Sequence, residues 1–425
     1  MKNVFAEVIT IGDEILYGQT LDTNTQWIGQ KLNEIGIKIK RKLSISDDRQ
    51  EIIQALDEAT QRADIVLITG GLGPTKDDIT KQTLSAYFNT PLVRHAESLE
   101  HIKNLFASRG RTITPTNEQQ ADLPESCTVI KNRMGTAPAM LFSRDDTMYV
   151  SMPGVPYEMK CIMEEEIIPK IREEFNLPQL IHQMIQTVGI GESWLSDQIA
   201  DWEKQLPEPI RLAYLPSFGK VKLRLTAYGE DTGMLYSLLQ EQTVKILPLI
   251  EKFVFAIGDI SLEEAIGQQL QKQSKTVALA ESCSGGYVAH SITSIAGSST
   301  YFQGGVIPYH NQHKEKLLGV SHQTLVEHGA VSEVTVQEMA ESARRMFSAD
   351  YGLASSGVAG PGGGSKEKPV GTVWIAVASD AGTVCRKLQL TQDRMLNIKL
   401  TEVGLLNLLR KQFPRSFQWI DTRKA

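Results

Sequence analysis

Three adjacent residues able to act as nucleophiles, Ser282, Cys283 and Ser284, stand in AESCSGGYVAH (280–290), between the apolar run TVALA and a segment of helical character. A strand that ends in a polar turn and re-enters a helix offers free N–H groups where an oxyanion can sit, and the helix dipole favours negative charge there. The arrangement resembles a nucleophile elbow, although G-x-S-x-G is absent. Four readings compete. Cys283 with a histidine such as His310 would be a thiol hydrolase, since cysteine is the better nucleophile and a helix N-terminus lowers its pKa. Ser282 with a histidine and an acid is a second, but the eight histidines suggest no triad. Ser282 with a lysine is a third, burial lowering the ammonium pKa until the amine can accept the seryl proton. The fourth has no chemistry, only a Ser/Cys-rich cap before a glycine turn. Successive residues leave a strand in opposite directions, so Ser282 and Cys283 cannot both enter one pocket.

A second stretch, TGGLGPTKDDIT (69–80), follows the buried strand DIVLITGG and precedes a helix. Gly70, Gly71 and Gly73 let backbone N–H groups approach an anion at the carboxyl end of a strand. It is not a Walker motif, because GxxxxGK[ST] is absent. Asp77 and Asp78 would repel a phosphate unless a cation bridges them to it; otherwise one of them is a helix N-cap. Asp13 and Glu14 in IGDEILYG, and the Pro153-Gly154 turn in SMPGVPYEM, stand at two further strand ends.

The elements that must position these residues follow from the pattern. The first ~170 residues alternate strand and helix, which predicts a parallel sheet covered on both faces. VFAEVITIG is a strand, NTQWIGQKLNEIG an amphipathic helix closed at Gly36, and the alternating IKIKRK (37–42) a solvated strand face. A small α+β module follows FNLPQ, and the last third is α/β again. The reading is an α/β chain of two domains with mainly parallel sheets, at 1–174 and 258–425, flanking an α+β module at 175–257. The chain has 425 residues, 41% hydrophobic and 22% charged, with a formal net charge of −6, which speaks against a nucleic-acid binder. Cys127, Cys161, Cys283 and Cys385 lie far apart without a CxxC, which points to a reducing compartment and no structural zinc. The N-terminus lacks the features of a signal peptide and no apolar run approaches membrane-spanning length. The expectation is a cytoplasmic protein with no membrane and no nucleic-acid partner.

TIGDEILYGQTLDTNT, TGGLGPTKDDIT, MGTAPAM and MPGVPYEM, in this order, resemble the molybdopterin-binding type of domain in its CinA-family version. The resemblance implies either binding of molybdopterin or a nucleotide, or hydrolysis of ADP-ribose to AMP and ribose 5-phosphate. It implies a substrate site at Thr69, Gly70, Gly71, Gly73, Pro153 and Gly154. It also implies a divalent cation, Mg2+ or another, with or without a monovalent one, on Asp13, Glu14, Asp77 and Asp78. GIGESWLSDQIADW and LAYLPSFGKVKLRLTAYG resemble a KH-type fold, but the GxxG loop that clamps RNA is absent. A connecting or dimerisation module is the expectation, with a homodimer as the assembly.

AGSSTYFQGGVIPYHNQHKEKLLGV, HGAVSEVTVQEMA and SSGVAGPGGGSKEKPVGTVWIAVA resemble the C-terminal CinA domain of nicotinamide mononucleotide (NMN) amidohydrolases. That resemblance implies Ser282 as nucleophile, Lys314 as its base and Tyr309 as an assistant, with no metal. Cys283 then packs behind the sheet. Amides around Ser284 and Gly285 would hold the oxyanion, and the loop containing Gly357, Gly360 and Gly362 would wrap the substrate phosphate. Ser299 either donates to substrate or caps the next helix. Ser284 stands where the family commonly has threonine, and His310 where it has serine. The expected function is a pyridine-nucleotide salvage hydrolase acting on NMN and ADP-ribose. The alternatives are an N-terminal domain that only binds its ligand, or a competence- or damage-linked interaction protein.

Overall fold

The computed structural model describes residues 4–75 and 77–413. It forms two compact units, Met1–Ile181 with Tyr228–Thr232, and His182–Ala227 with Gly233–Ala425.

In the first unit the strands are β1 (Phe5–Ile11), β2 (Lys38–Ile45), β3 (Ile65–Thr69), the short pair β4 (Leu92–Arg94) and β5 (Asp122–Pro124), then β6 (Thr128–Ile130), β7 (Ala139–Arg144) and β8 (Thr147–Met152). The main sheet runs β2-β1-β3-β8-β7-β6. β1, β2, β3 and β8 are mutually parallel, and β7 and β6 add antiparallel pairs at one side. Alternation along β1 sends Ala6 and Val8 to one apolar cluster and Ile9 and Ile11 to the other. Helices Thr23–Glu34 and Pro156–Ile162 cover the first face through Ile28, Leu32, Met159 and Ile162. Helices Arg49–Thr60 and Thr80–Tyr87 cover the second through Ile52, Leu56 and Leu84. Each such side chain contributes roughly 1.5–3 kcal/mol by leaving water. The register Thr10↔Thr69 and Thr69↔Met152 brings the ends of β1, β3 and β8 level. The loops IGDE, GGLGPT and PGVP therefore emerge side by side. Gly70 makes that possible: its φ is +113°, and a Cβ there would lie 2.0 Å from the carbonyl oxygen of Ile11.

The strands β9 (Gln179–Val188), β10 (Ile210–Ser217), β11 (Lys220–Gly229) and β12 (Val254–Ile257), most of whose residues belong to the second unit, form a sheet in the order β10-β11-β9-β12, accompanied by helices Glu192–Lys204 and Thr232–Ile250. The last five strands are β13 (Val277–Glu281), β14 (Phe302–Val306), β15 (Tyr351–Gly357), β16 (Thr372–Ser379) and β17 (Gly382–Gln389), in the order β14-β13-β15-β16-β17. β14, β13 and β15 are parallel, whereas β16 and β17 join as antiparallel neighbours. A direct hairpin through Asp380 and Ala381, closed by the pair Ser379↔Gly382, leaves no room for the crossover helix a parallel pair needs. Helices Leu262–Lys272, Tyr287–Thr293 and Arg394–Arg410 pack one face. Asn311–Leu318 and Glu333–Met346 pack the other.

Candidate functional site

Parity along β13 decides which of the three candidate nucleophiles faces which way. Leu279 and Cys283 belong to the cluster beneath helix Arg394–Arg410, while Ala280 belongs to the opposite cluster, with Leu318 and Met339. Ser282 continues the parity of Ala280 and meets Lys314 from helix Asn311–Leu318. The Lys314 Nζ lies 3.1 Å from Ser282 Oγ, and it donates to the carbonyls of Pro308 (2.9 Å) and Tyr309 (3.4 Å). Lys314 is 1% exposed and Ser282 8%. No carboxylate among the described residues pairs with this lysine, and burial pushes its pKa below the ordinary lysine value. Burial acts oppositely on Cys283, whose thiol is pushed up to about 12. A thiolate is thus withheld at neutral pH from the better intrinsic nucleophile, which packs in the core.

The turn after Ser282 is held by a residue that the sequence patterns did not single out. Glu281, buried at the end of β13, accepts hydrogen bonds from the amides of Gly286 (3.0 Å), Val288 (3.1 Å) and Ala289 (2.8 Å). Its carboxylate fills the helix N-terminus that sequence reasoning reserved for an oxyanion. The Gly285 N–H is also engaged, donating to the Ser282 carbonyl at 3.1 Å, so Gly285 is not an oxyanion donor in this conformation. Ser284 turns its hydroxyl to Ser355 Oγ (2.7 Å) on the core side. Among the described residues, the N–H groups of Cys283 and Ser284 donate to no other residue. They are the donors left for an oxyanion beside Ser282.

Tyr309 reaches Lys314 through its carbonyl, whereas its hydroxyl accepts from Arg394 Nη2 at 2.9 Å. Arg394 opens helix Arg394–Arg410, whose start Asp393 caps through the Leu396 N–H (2.7 Å), and its Nη1 donates to the Gly360 carbonyl (2.9 Å). A guanidinium thus stands between Tyr309 and the glycine loop. It was invisible as a site residue because it lies 85 positions from Tyr309 in the chain. Gly357 ends β15, its Cβ position closed by Val373 and Thr372, while Gly360 has φ +91° and Gly362 faces open space. The amides of Gly362, Gly363 and Gly364 donate to no described residue and can serve an anion. His310 is the N-cap of the Lys314 helix, accepting from the Gln312 N–H (3.3 Å). Ser299 is exposed and makes no capping bond, the cap position of its short turn being Gly297.

In the first unit the three loops enclose a cleft of about 520 Å³, lined by residues of IGDE, TGGLGP and PGVP. Thr69 is buried and fixes the loops, donating to the Pro153 carbonyl (2.9 Å) and accepting from Asn24 Nδ2 (3.1 Å). Two of the glycine amides assigned to an anion are already engaged: Gly70 donates to Met152 (3.1 Å) and Gly73 to Asp78 Oδ1 (2.8 Å). The amides of Gly71, Leu72 and Gly154 donate to no described residue.

The acidic residues do not assemble as the sequence suggested. Asp78 accepts from the Gly73 and Thr75 amides and so closes the loop, and Asp77 is held by Thr75 at the surface, where that contact lowers its pKa. Neither caps the helix, which begins at Thr80 after Ile79. Asp13 donates its N–H to Asp47 Oδ2 (3.3 Å) and is not part of the cleft wall, whereas Glu14 is. Asp47, which carries no motif, is half-buried; desolvation first, then the charges of Asp13, Glu14 and Asp78, raise its pKa. Among the described residues no three Asp, Glu, His or Cys side chains converge to hold a metal ion. Asp13, Glu14, Asp77 and Asp78 therefore do not form a preassembled ligand set.

No helix among the described residues is long and apolar enough to cross a membrane. Residues 7–173 match the family model "probable molybdopterin binding domain", 182–256 the damage-inducible protein CinA KH domain, and 259–413 the CinA C-terminal domain. A CinA-like protein of Flavobacterium psychrophilum is 41% identical over 414 residues, 97% of this chain and 99% of that protein. The crystal structure of the protein CinA from Thermoplasma acidophilum is 33% identical and covers 41% of this chain and 99% of that one, with a TM-score of 0.37. That of CihA, a competence/damage inducible protein from Agrobacterium tumefaciens, is 37% identical and covers 35% and 91%, with a TM-score of 0.34. A CinA-like protein of Cytophaga hutchinsonii is 50% identical over 410 residues, 96% of this chain and 98% of its own, and the chain belongs to the CinA family.

Proposed function

We propose that the C-terminal domain is a serine amidohydrolase that converts NMN to nicotinate mononucleotide and ammonia. The observation that carries this reading is the 3.1 Å contact between Ser282 Oγ and a buried lysine with no carboxylate partner. In its neutral form Lys314 accepts the seryl proton as Oγ attacks the carboxamide carbon. The carbonyl oxygen becomes an oxyanion against the Cys283 and Ser284 amides. Collapse breaks the C–N bond, and Lys314 returns the proton to the leaving ammonia. A water molecule, deprotonated by the same amine, then hydrolyses the acyl-serine and regenerates both groups. Arg394 and the amides of 362–364 supply donors for the substrate phosphate, and the carbonyls of Pro308 and Tyr309 keep Nζ aimed at Ser282. The four cysteines are unpaired, which suits a reducing cytoplasm.

The test is ammonia release from NMN by wild type, Ser282→Ala, Cys283→Ala and Lys314→Ala, each with and without EDTA. Loss in the Ser282 and Lys314 variants alone, with EDTA harmless, is the expected result. Loss only in Cys283→Ala, or no ammonia from wild type, overturns it.

For the N-terminal domain we propose hydrolysis of ADP-ribose to AMP and ribose 5-phosphate, with a divalent cation. Support comes from a cleft with three unengaged loop amides for an anion, beside the acidic group around Asp47. Because the carboxylates do not form a ligand set by themselves, no step is assigned to the metal. AMP release from ADP-ribose that requires added Mg2+ or Mn2+ is the expected result; binding without AMP release would make the domain a binder only.

A further inference from the structure

The floor of the N-terminal cleft carries buried polar atoms that the chain leaves without partners. Asn24, 6% exposed, donates its Nδ2 to the Gly154 carbonyl (2.7 Å) and to Thr69 Oγ1 (3.1 Å). A carbonyl can only accept, so the atom facing Gly154 must be the amide nitrogen. Asn24 Oδ1 is thereby fixed as an acceptor, and it has no partner. Gln120 is also 6% exposed, and its Oε1 has none. Glu158, 8% exposed, accepts from Asn132 Nδ2 (2.7 Å) through Oε2, while its Oε1 accepts from no described residue. Asn132 is itself anchored, donating to Ala137 O (2.9 Å) and accepting from the Met134 (3.0 Å) and Gly135 (2.9 Å) amides. Asn24, Gln120 and Glu158 all line the same cleft.

Buried polar atoms are nearly always satisfied, by the chain, by water or by a ligand. Two buried oxygens without partners and the Glu158 carboxylate, on a cleft whose loops hold unengaged N–H groups, describe a ligand with two unlike ends. One end is anionic and meets the amides of Gly71, Leu72 and Gly154. The other offers hydrogen-bond donors. A carboxylate flanked by amide carbonyls suits neighbouring hydroxyl groups, as acidic residues receive ribose hydroxyls in dinucleotide folds. We infer that Glu158, with Asn24 and Gln120, forms a subsite for the hydroxyl groups of a phosphorylated sugar and sets which phosphate-bearing molecules the cleft accepts. This inference rests on the reading of the cleft as a nucleotide site and names the part of the nucleotide that it selects.

The experiment is calorimetric titration of the full chain with ribose 5-phosphate, 2-deoxyribose 5-phosphate and inorganic phosphate, for wild type, Glu158→Gln and Gln120→Met. Thermal melts verify that each variant is folded. Wild type is expected to prefer ribose 5-phosphate over its deoxy analogue by roughly tenfold or more, because the analogue lacks one hydroxyl donor for these acceptors. Glu158→Gln turns the free acceptor into a donor, and the ratio should fall towards one while inorganic phosphate binds as before. Gln120→Met should reduce the ratio less. Any phosphate site elsewhere in the chain is common to wild type and variants, so the difference belongs to the cleft. Equal affinity for the two sugars in wild type, with AMP still formed from ADP-ribose, overturns the subsite and spares the nucleotide reading. No binding of any of the three ligands and no AMP overturns both.

Discussion

At Lys314 a cation is buried against two carbonyls and a serine hydroxyl with no carboxylate beside it among the described residues; at Asp47 a carboxylate is half-buried and feels the charges of three others. Both groups are displaced from their ordinary titration, and burial leads in both, but the remedies differ. Lys314 can shed its charge by losing a proton, and the neutral amine that results is the base that the proposed chemistry uses. Around Asp47 the neighbouring Asp78 is tied up as an acceptor from the Gly73 and Thr75 amides that close the loop. On the proposed readings, the C-terminal site needs nothing beyond the chain, whereas the N-terminal cleft needs a cation.

The sharpest way to break this contrast is at the C-terminal pair. Ser282→Ala should lower kcat for NMN by on the order of 10⁴–10⁶, as removal of a nucleophile from a cooperating unit does. Lys314→Ala should cost about 10²–10⁴. Lys314→Arg should be no better, because a guanidinium cannot give up its proton to act as base. The rate should rise with pH as Lys314 deprotonates, with the limb below the ordinary lysine range because burial lowers its pKa. A rate independent of pH across that limb would mean that Lys314 is not the base.

Next in size is the N-terminal site. EDTA should abolish AMP release from ADP-ribose and leave ammonia release from NMN unchanged, and Asp47→Asn should reduce AMP release by roughly 10²-fold. Asp47→Asn should also raise thermal stability slightly, since it removes a desolvated charge crowded by Asp13, Glu14 and Asp78. Full activity in Asp47→Asn would show the acidic group to be bystanders.

Glu281→Gln probes how far the first site is prebuilt. Three amides of the turn converge on this carboxylate, and the amide variant keeps an acceptor on one side only. A fall in kcat of about 10–10²-fold with KM little changed is expected if the turn sets the position of the Cys283 and Ser284 amides. A change in KM alone would place Glu281 in ground-state binding.

What could be read beforehand divides along the same line. Ser282 and Lys314 were legible because motif resemblance carries both, and the burial that lowers the lysine pKa follows from its place on an apolar-packed helix. The opposition of Ser282 and Cys283 followed from strand parity alone. Glu281 was not legible, since a glutamate ending a strand gives no sign that it will bend back to cap the next helix. Arg394 and Asp47 were missed because each reaches its site from a distant element and carries no motif. Pairing of strands also escaped the pattern in part: GTVWIAVA and CRKLQL read as strands, but their antiparallel join depends on a tight turn at Asp380-Ala381. The glycines of TGGLGPT suggested a cradle of amides; two of those amides instead close the fold, a choice that spacing cannot express.

The smallest effect tests whether proton uptake relieves a more deeply buried acid elsewhere. Glu402, buried on helix Arg394–Arg410, accepts from Ser291 Oγ (3.1 Å) and lies against Glu263, with Lys220 opposing. Desolvation and Glu263 push its pKa from 4.5 up to about 8. The folded chain therefore holds a proton that the unfolded chain has released between these values. Its contribution to stability is fully present below pH 4.5 and is lost as pH rises to about 8, with a slope of at most about 1.4 kcal/mol per pH unit. Glu402→Gln keeps the shape and removes the proton equilibrium. Wild type should lose a few degrees of Tm between pH 6 and 8.5 relative to Glu402→Gln, whose Tm should be flatter across the same range. If the two proteins track each other, Glu402 does not take up the proton, and the contrast between the regions reduces to the Ser282–Lys314 pair.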